Sequence, residues 1–481
     1  MSTLTSNGAG LARGAGWGIL AQAVDKILPV AILLYLARTL GAEDFGTYSF
    51  VLAYLAFFQI AAEYSIDTVL VRSMSQRGPE GRSQVFQAGL GLKLVTATLA
   101  ALAACALAGP VSGGRVPLGL MVLASLSLVS GMGAAYRSLF RATMEISWVF
   151  AIALVRAVML ASAVVAVIRI APGLNALFGA MAAANMLAFI VIAIAAFPRL
   201  RPTFGFDREL WAELLRGALP LAGNAFALTV SLRAGQVMLM SMRGPVEVGL
   251  MGAASRVTEA FTFLPEALMI SVYPLMAGLV GQDPVRLRAT AVRSSRYLVA
   301  AIGVPVVACA VAGPEIMGLL YGQGFEPAGR ALSVLSAMAL LSATGTVVLN
   351  LLVVLHKEQV LYRNTMVFAL ANVALCAVMI PRFGYEGAAV VMVLTSAASQ
   401  LSLALLPATR EHVLPCLRSA AGAVLAVVIA CAVASLSTDR LAVALPLGLS
   451  VHLAALLGLR VIDRQDLAWL RGMLTSAGSG R

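Results

Sequence analysis

The sequence predicts an all-α polytopic membrane protein. It has about 14 transmembrane helices, read as two six-helix lobes around a central cavity plus two C-terminal helices. Three observations predict it. Sixty per cent of the 481 residues are hydrophobic and only 12% are charged, about half the charged share of a soluble domain, which is roughly 25%. Mean hydropathy is +0.92, and apolar runs of about 20 residues recur along the chain, where a β-barrel would show alternating segments of about ten. The basic residues, finally, crowd onto every second loop.

The spans fall in order at roughly 17–38, 47–71, 84–108, 117–136, 147–168, 175–197, 218–242, 249–275, 292–312, 330–355, 362–380, 385–407, 415–436 and 441–460. Turn-forming stretches separate them, among them "LGAEDFG", "AGPVSGG", "RIAPGLN", "RGPVEVG", "GQDP" and "PRFGYEG". The N-terminal "MSTLTSNGAGLARGAG" lacks the short apolar core and small-residue cleavage site of a secretory leader, so the first helix is expected to stay. Of the 34 bases, 22 lie in one set of alternating loops, seven in the other and five inside spans. By the positive-inside rule this places both termini in the cytoplasm.

Between spans six and seven, "FDRELWAELLRG" sets Leu210, Trp211, Leu214 and Leu215 on one helical face. It predicts an amphipathic surface helix that links the halves. The domain reading is therefore residues 1–200 for the first lobe and 201–217 for the linker. Residues 218–410 form the second lobe, and 411–481 the last two helices with the tail. A shift of 203 residues superposes Gly41 on Gly244, Asp44 on Glu247 and Gly46 on Gly249, in turns that each precede a long helix. Six helices per half make the repeats parallel, and transporters with such halves bind substrate between them.

Charge inside the spans concentrates on the first two helices of each half. Asp25 and Lys26 lie in span 1, Gln59, Glu63 and Asp67 in span 2, Asn224, Arg233 and Gln236 in span 7, and Arg256, Glu259 and Glu266 in span 8. Gln59, Glu63 and Asp67 form an i, i+4, i+8 row. Elsewhere only Arg156 in span 5 is deep, while Lys93 in span 3 is close enough to the cytoplasm for its ammonium to snorkel. A charge at a helix centre costs about 2.5–3.5 kcal/mol in lipid, so these side chains are expected to face a polar cavity. Salt bridges that only fix packing between helices, with Arg256–Glu259 a local pair on one helix, are the plainer alternative. Pro29, Pro220, Pro265 and Pro274 permit kinks in the same helices.

The net charge of +12 is spread over inter-helix loops, so nucleic acid is not an expected partner. Cys105, Cys309, Cys376, Cys416 and Cys431 stand singly, as do His356, His412 and His452, so neither a disulfide framework nor a metal site is expected. No nucleophile–base pair or phosphate-cradling glycine loop is present, and no large loop that a glycan polymerase or ligase would need. The chain reads as a transporter, not an enzyme, with no catalytic residue and no cofactor.

Four stretches then carry a family resemblance. They are "ARTLGAEDFGTYSFVLAYLAFFQIAAEYSIDTVLVR" (37–72), "GPVEVGLMGAASRVTEAFTFLPEALMISVYPLMA" (244–277), "PEIMGLLYGQGFEPAGRALSVLS" (314–336) and "PRFGYEGAAVVMVLTS" (381–396). The sequence resembles the polysaccharide transporter family of the multidrug/oligosaccharidyl-lipid/polysaccharide exporter superfamily. That resemblance implies two six-helix lobes, often with two extra C-terminal helices. It also implies a flippase moving polyprenyl-diphosphate-linked oligosaccharide repeat units to the outer leaflet, for surface polysaccharide of the O-antigen or exopolysaccharide kind. Lipid-linked glycan, membrane lipids and polysaccharide polymerase or assembly proteins are the implied partners. Lys26, Arg233, Arg256 and, less centrally, Arg156 would meet the diphosphate, and Gln59, Asn224 and Gln236 the sugar. Asp25, Glu63, Asp67, Glu259 and Glu266 would neutralise those bases or carry a coupling proton or sodium ion. A cation-coupled multidrug antiporter of the same superfamily is the nearest rival. A flippase for the peptidoglycan lipid precursor ranks below the general exporter.

Overall fold

The computed structural model describes residues 3–170, 173–197, 205–437, 441–459 and 461; the side chains of residues 3–28, 63–65, 132, 437 and 441 lie outside that description. Sixteen α-helices follow one another, and no strand occurs among the described residues. They are α1 (Thr3–Gln59), α2 (Ser65–Ser75), α3 (Pro79–Ser112), α4 (Leu118–Ser130), α5 (Ala134–Ala142), α6 (Ile146–Ile170), α7 (Leu174–Ala196) and α8 (Arg208–Met242). There follow α9 (Pro245–Ala260), α10 (Phe263–Leu279), α11 (Pro284–Val311), α12 (Gly313–Tyr321), α13 (Ala328–Val354), α14 (Glu358–Leu405), α15 (Arg410–Ser437) and α16 (Leu441–Gly458).

Among the described residues, eleven helical stretches are long and apolar enough to cross a membrane, and the protein is a multi-pass membrane protein. Two of the eleven hold a glycine with non-helical backbone, Gly41 (φ 74°) and Gly384 (φ 56°), a region of φ that favours glycine. The second is a hairpin. Asn364 donates to Ser399 Oγ at 2.7 Å and Asn372 to Thr395 Oγ1 at 3.0 Å, so the two arms of α14 run antiparallel. The last apolar helix, Ala442–Gly458, is shorter than the eleven.

Local chemistry sets the ends. Asp207 caps α8 by accepting from the Glu209 and Leu210 amides, and Asp283 caps α11 by accepting from the Arg286 amide, with Pro284 in the first turn. Gly113, at φ 62°, closes α3. Of the four prolines singled out from the sequence, Pro265 alone accompanies a break: it stands in the first turn of α10 and has no N–H for the carbonyl of Phe261. Pro220 and Pro274 lie inside continuous helices, while the chain interrupts itself at Gly41, over a π-helical turn Ile60–Tyr64, and at Phe261–Thr262.

The chain divides into two compact units, 1–249 and 250–481. In the first, α1 packs on α6, α3 on α4, and α7 on α4 and α6, while α8 lies against α1, α2 and α3. In the second, α11 packs on α13, α15 and α16. Lipid tails are as apolar as leucine, so helix contacts here depend on close approach of small residues. Helix α3 follows that rule: Ala100, Ala104, Ala108 and Ser112 are buried in one i, i+4 row, whereas Leu99, Leu102 and Leu107 are exposed. Buried Ala423, Ala426, Ala430 and Ala434 serve α15 in the same way.

The linker expectation changes. Residues 208–217 are not a separate surface helix but the first turns of α8, continuous through Pro220. Leu214 is buried, Trp211 Nε1 donates to the Ala88 carbonyl at 2.9 Å, and the Gly205 amide donates to the Gln87 carbonyl at 2.9 Å, so the segment docks on α3. Leu215, expected on the same apolar face, is exposed. The 203-residue repeat, by contrast, has a physical counterpart. Gly41 and Gly244 both have positive φ. A methyl group on Gly46 would collide with the Pro245 carbonyl, and one on Gly249 with the Ala42 carbonyl. The two turns thus touch through equivalent positions, as a local two-fold contact requires.

Candidate functional site

Each polar side chain singled out from the sequence is placed by its helix. Asp25, Lys26 and Glu63 have side chains outside the described residues. Gln59 ends α1, half-buried, and the π turn follows it. A π turn closes i→i+5 and so moves everything beyond it out of α-helical phase by about one residue, roughly 100°. Gln59 and Asp67 therefore do not continue one straight row.

Asp67 turns instead to α3. Its Oδ1 accepts from Lys93 Nζ at 2.7 Å and from Ser138 Oγ at 3.2 Å, joining α2, α3 and α5. Lys93 is 1% exposed and Asp67 23%. The snorkelling expectation for Lys93 is thus corrected, since a carboxylate one helix away offers the ammonium a partner without its reaching the interface. Ser138 had no signal in the sequence. Lys93 had one, as one of only three lysines in the chain.

On α8, Gln236 is buried, Arg233 half-buried one turn earlier, and Asn224 exposed. The π turn, α2 and the second arm of α1 all pack on α8, with Phe57 and Phe226 edge to face at 5.9 Å. The first unit thereby brings together the helices that carry Gln59, Asp67, Arg233 and Gln236. Arg156 stands apart on α6, exposed, lining a notch of about 20 Å³ with Arg137 and Asn185. That is about the space of one water molecule.

In the second unit, Arg256 Nη1 donates to Glu259 Oε2 at 2.9 Å, with the side chains 33% and 31% exposed. The local pair therefore forms, and both groups stay reachable. Glu266 lies beyond the Phe261–Thr262 break and is exposed, so the i, i+7 relation with Glu259 does not place the two acids on one helical face. Tyr321, at the end of α12, lies within electrostatic reach of the pair. Burial pushes its phenol above the ordinary value, Arg256 opposes that rise and Glu259 adds to it, so the hydroxyl stays protonated. Among the described residues no group of three His, Cys, Asp or Glu side chains is placed to hold a metal. Two bases on apolar helices, Lys93 and Arg256, are thus each held by an acid.

Comparison with known proteins follows the same line. The chain is 28% identical over 152 residues to the "Probable flippase AglR" of Haloferax volcanii; the match covers 31% of this chain and 32% of that protein, so it spans about a third of the relative's length. The fold is that of a lipid II flippase, MurJ, in an inward closed conformation, with a TM-score of 0.71 at 12% identity, covering 91% of this chain and 97% of that one. An inward-facing multidrug resistance transporter of the MATE family has a TM-score of 0.64 at 14% identity, covering 79% and 92%. The family described as "polysaccharide biosynthesis protein" matches residues 11–280, more than half of the chain, and the protein belongs to that family.

Proposed function

We propose that the protein is a flippase that moves polyprenyl-diphosphate-linked oligosaccharide units from the cytoplasmic to the outer leaflet of a bacterial plasma membrane, for surface polysaccharide assembly. The observation that carries this reading is family membership over residues 11–280, the segment that holds every intramembrane base and acid discussed above. A lipid diphosphate is strongly anionic, and Lys26, Arg233 and Arg256 are the bases assigned to it. Glu259 holds Arg256 at 2.9 Å. Binding then exchanges one anionic partner for another and avoids leaving a desolvated guanidinium unpaired. Gln59, Asn224 and Gln236 supply hydrogen bonds to sugar hydroxyls. Asp67 is committed to Lys93, so a coupling proton or sodium ion is assigned to Asp25, Glu63, Glu259 or Glu266.

The fold shared with a multidrug transporter keeps a drug antiporter as the second reading. One experiment separates the two. Polyprenyl-linked glycans and surface polymer are quantified in a deletion strain and its wild type. Accumulated lipid-linked repeat units with lost surface polymer are the expected result, and their mass identifies the cargo. Normal intermediates and normal polymer, with redundancy tested by a second deletion, would overturn the flippase reading in favour of the antiporter.

A further inference from the structure

The second unit holds a concave basic pocket that the transport reading does not use. It has a volume of about 650 Å³ and is lined by Arg288 near the start of α11, Arg410, Glu411, Leu414 and Arg418 on α15, and Pro407 and Pro415. That volume lies within the range of small-molecule sites, about 300–1,000 Å³. Arg410, Leu414 and Arg418 follow at i, i+4 and i+8, so the two guanidiniums flank an apolar residue on one helical face, their backbones about 12 Å apart. Arg288 adds a third base from another helix. Among the described residues none of the three arginines is engaged in an ion pair or side-chain hydrogen bond. Glu411 is the one acid in the lining, so its formal charge is +2.

The rim is held in shape. Lys357 Nζ donates to the Ala408 carbonyl at 2.6 Å, and the buried Thr409 hydroxyl donates to the Leu403 carbonyl at 2.5 Å. Beside this turn Leu401, Leu405 and Leu406 are exposed, giving the pocket an apolar flank. Three uncommitted guanidiniums next to exposed leucines at the end of membrane helices match an amphiphilic anion better than a free one. All four bases, Arg288, Lys357, Arg410 and Arg418, belong to the Arg-rich set of loops, the side that meets the anionic leaflet.

We infer that the pocket between the start of α11 and the first turns of α15 binds the headgroup of an acidic membrane phospholipid, with the phosphate among Arg288, Arg410 and Arg418. The acyl chains lie along Leu401, Leu405 and Leu406. The site uses none of the assigned transport bases and rests on its own geometry.

The test uses the purified full-length protein in neutral detergent, titrated with short-chain phosphatidylglycerol and phosphatidylcholine, with binding read by calorimetry and by thermal shift. Phosphatidylglycerol is expected to bind and phosphatidylcholine not. Each Arg→Gln change is expected to weaken binding about fivefold, the factor that corresponds to ~1 kcal/mol per basic residue near an anionic lipid surface, and the triple variant R288Q/R410Q/R418Q about a hundredfold. Arg286→Gln, two residues before Arg288 and outside the pocket lining, should leave affinity unchanged, and Glu411→Gln should raise it. All these positions are exposed, so the variants should fold. Unchanged affinity in the triple variant, or equal binding of phosphatidylcholine, would overturn the inference. Displacement by inorganic phosphate alone would make this a free-anion site, and occupancy by a polyprenyl diphosphate but not phosphatidylglycerol a substrate subsite; either also overturns it. Binding is measured without transport, so failure of the flippase reading leaves this result standing.

Discussion

Removing Asp67 from the Asp67–Lys93 pair should cost more than removing both partners. At 2.7 Å and an effective dielectric constant of about 20, the gross attraction is about 6 kcal/mol. Desolvation of the two ions, several kcal/mol each, offsets most of it, so the intact pair adds little net stability. Asp67→Ala strands an ammonium that is 1% exposed and should destabilise by about 3–5 kcal/mol. Lys93→Met leaves a carboxylate that is 23% exposed and still accepts from Ser138; a cost of about 1–3 kcal/mol fits a polar group so relieved. The double variant D67A/K93M should fall within about 2 kcal/mol of wild type, because a methionine fills the lysine volume without a charge. Unfolding of all four proteins by graded SDS in mixed micelles would give the cycle. Additive single effects, or a Lys93→Met variant worse than Asp67→Ala, would refute the reasoning.

Further outcomes can be checked with the same protein. Gly46→Ala and Gly249→Ala should each lose folded yield in fluorescence-detected size exclusion, since both methyl groups would overlap backbone carbonyls, whereas Gly278→Ala, with open space around it, should behave as wild type. Trp211→Phe removes the 2.9 Å bond to the Ala88 carbonyl and should cost about 1 kcal/mol, with faster amide exchange at residues 205–211. Arg77→Gln breaks a pair with Glu213 whose side chains are 34% and 49% exposed, so the SDS midpoint should move little, a change of about 0–1 kcal/mol. The K26Q/R256Q variant should lose polysaccharide export at unchanged abundance; intact export would remove both bases from the transport site.

The fold class and family were legible because they depend on bulk properties, namely apolar run length, the alternation of arginines and four spaced turn motifs. The repeat was legible at Gly41, Gly46, Gly244 and Gly249, since glycine is favoured at a positive φ and only a residue without a side chain allows the collision-free crossing. Breaks inside helices were less so. Proline marks where a helix lacks a hydrogen bond, yet α8 runs through Pro220 while the π turn at Ile60–Tyr64 has no proline at all. The helical wheel fails there for the same reason, because an extra residue in one turn displaces Asp67 from the face that spacing assigned it. Lys93 was misjudged because depth along a span says nothing about which neighbouring helix offers a carboxylate. That depends on packing between residues 26 positions apart.

The mutual contact of the two glycine turns bears on how the two halves could have drifted. Where side chains of the two copies meet, as where α8 packs on α1, α2 and α3, a substitution can be absorbed by neighbours free to change with it. At Gly46 and Gly249 each copy is the other's surroundings. A side chain gained on either side presses on the backbone of its twin, which cannot shrink in response. Internal resemblance should therefore fade everywhere except where the backbones of the duplicates lean on one another, and the three positions that still superpose, Gly41 with Gly244, Asp44 with Glu247 and Gly46 with Gly249, sit in that place. What survives of the repeat is the pair of turns in which backbone meets backbone.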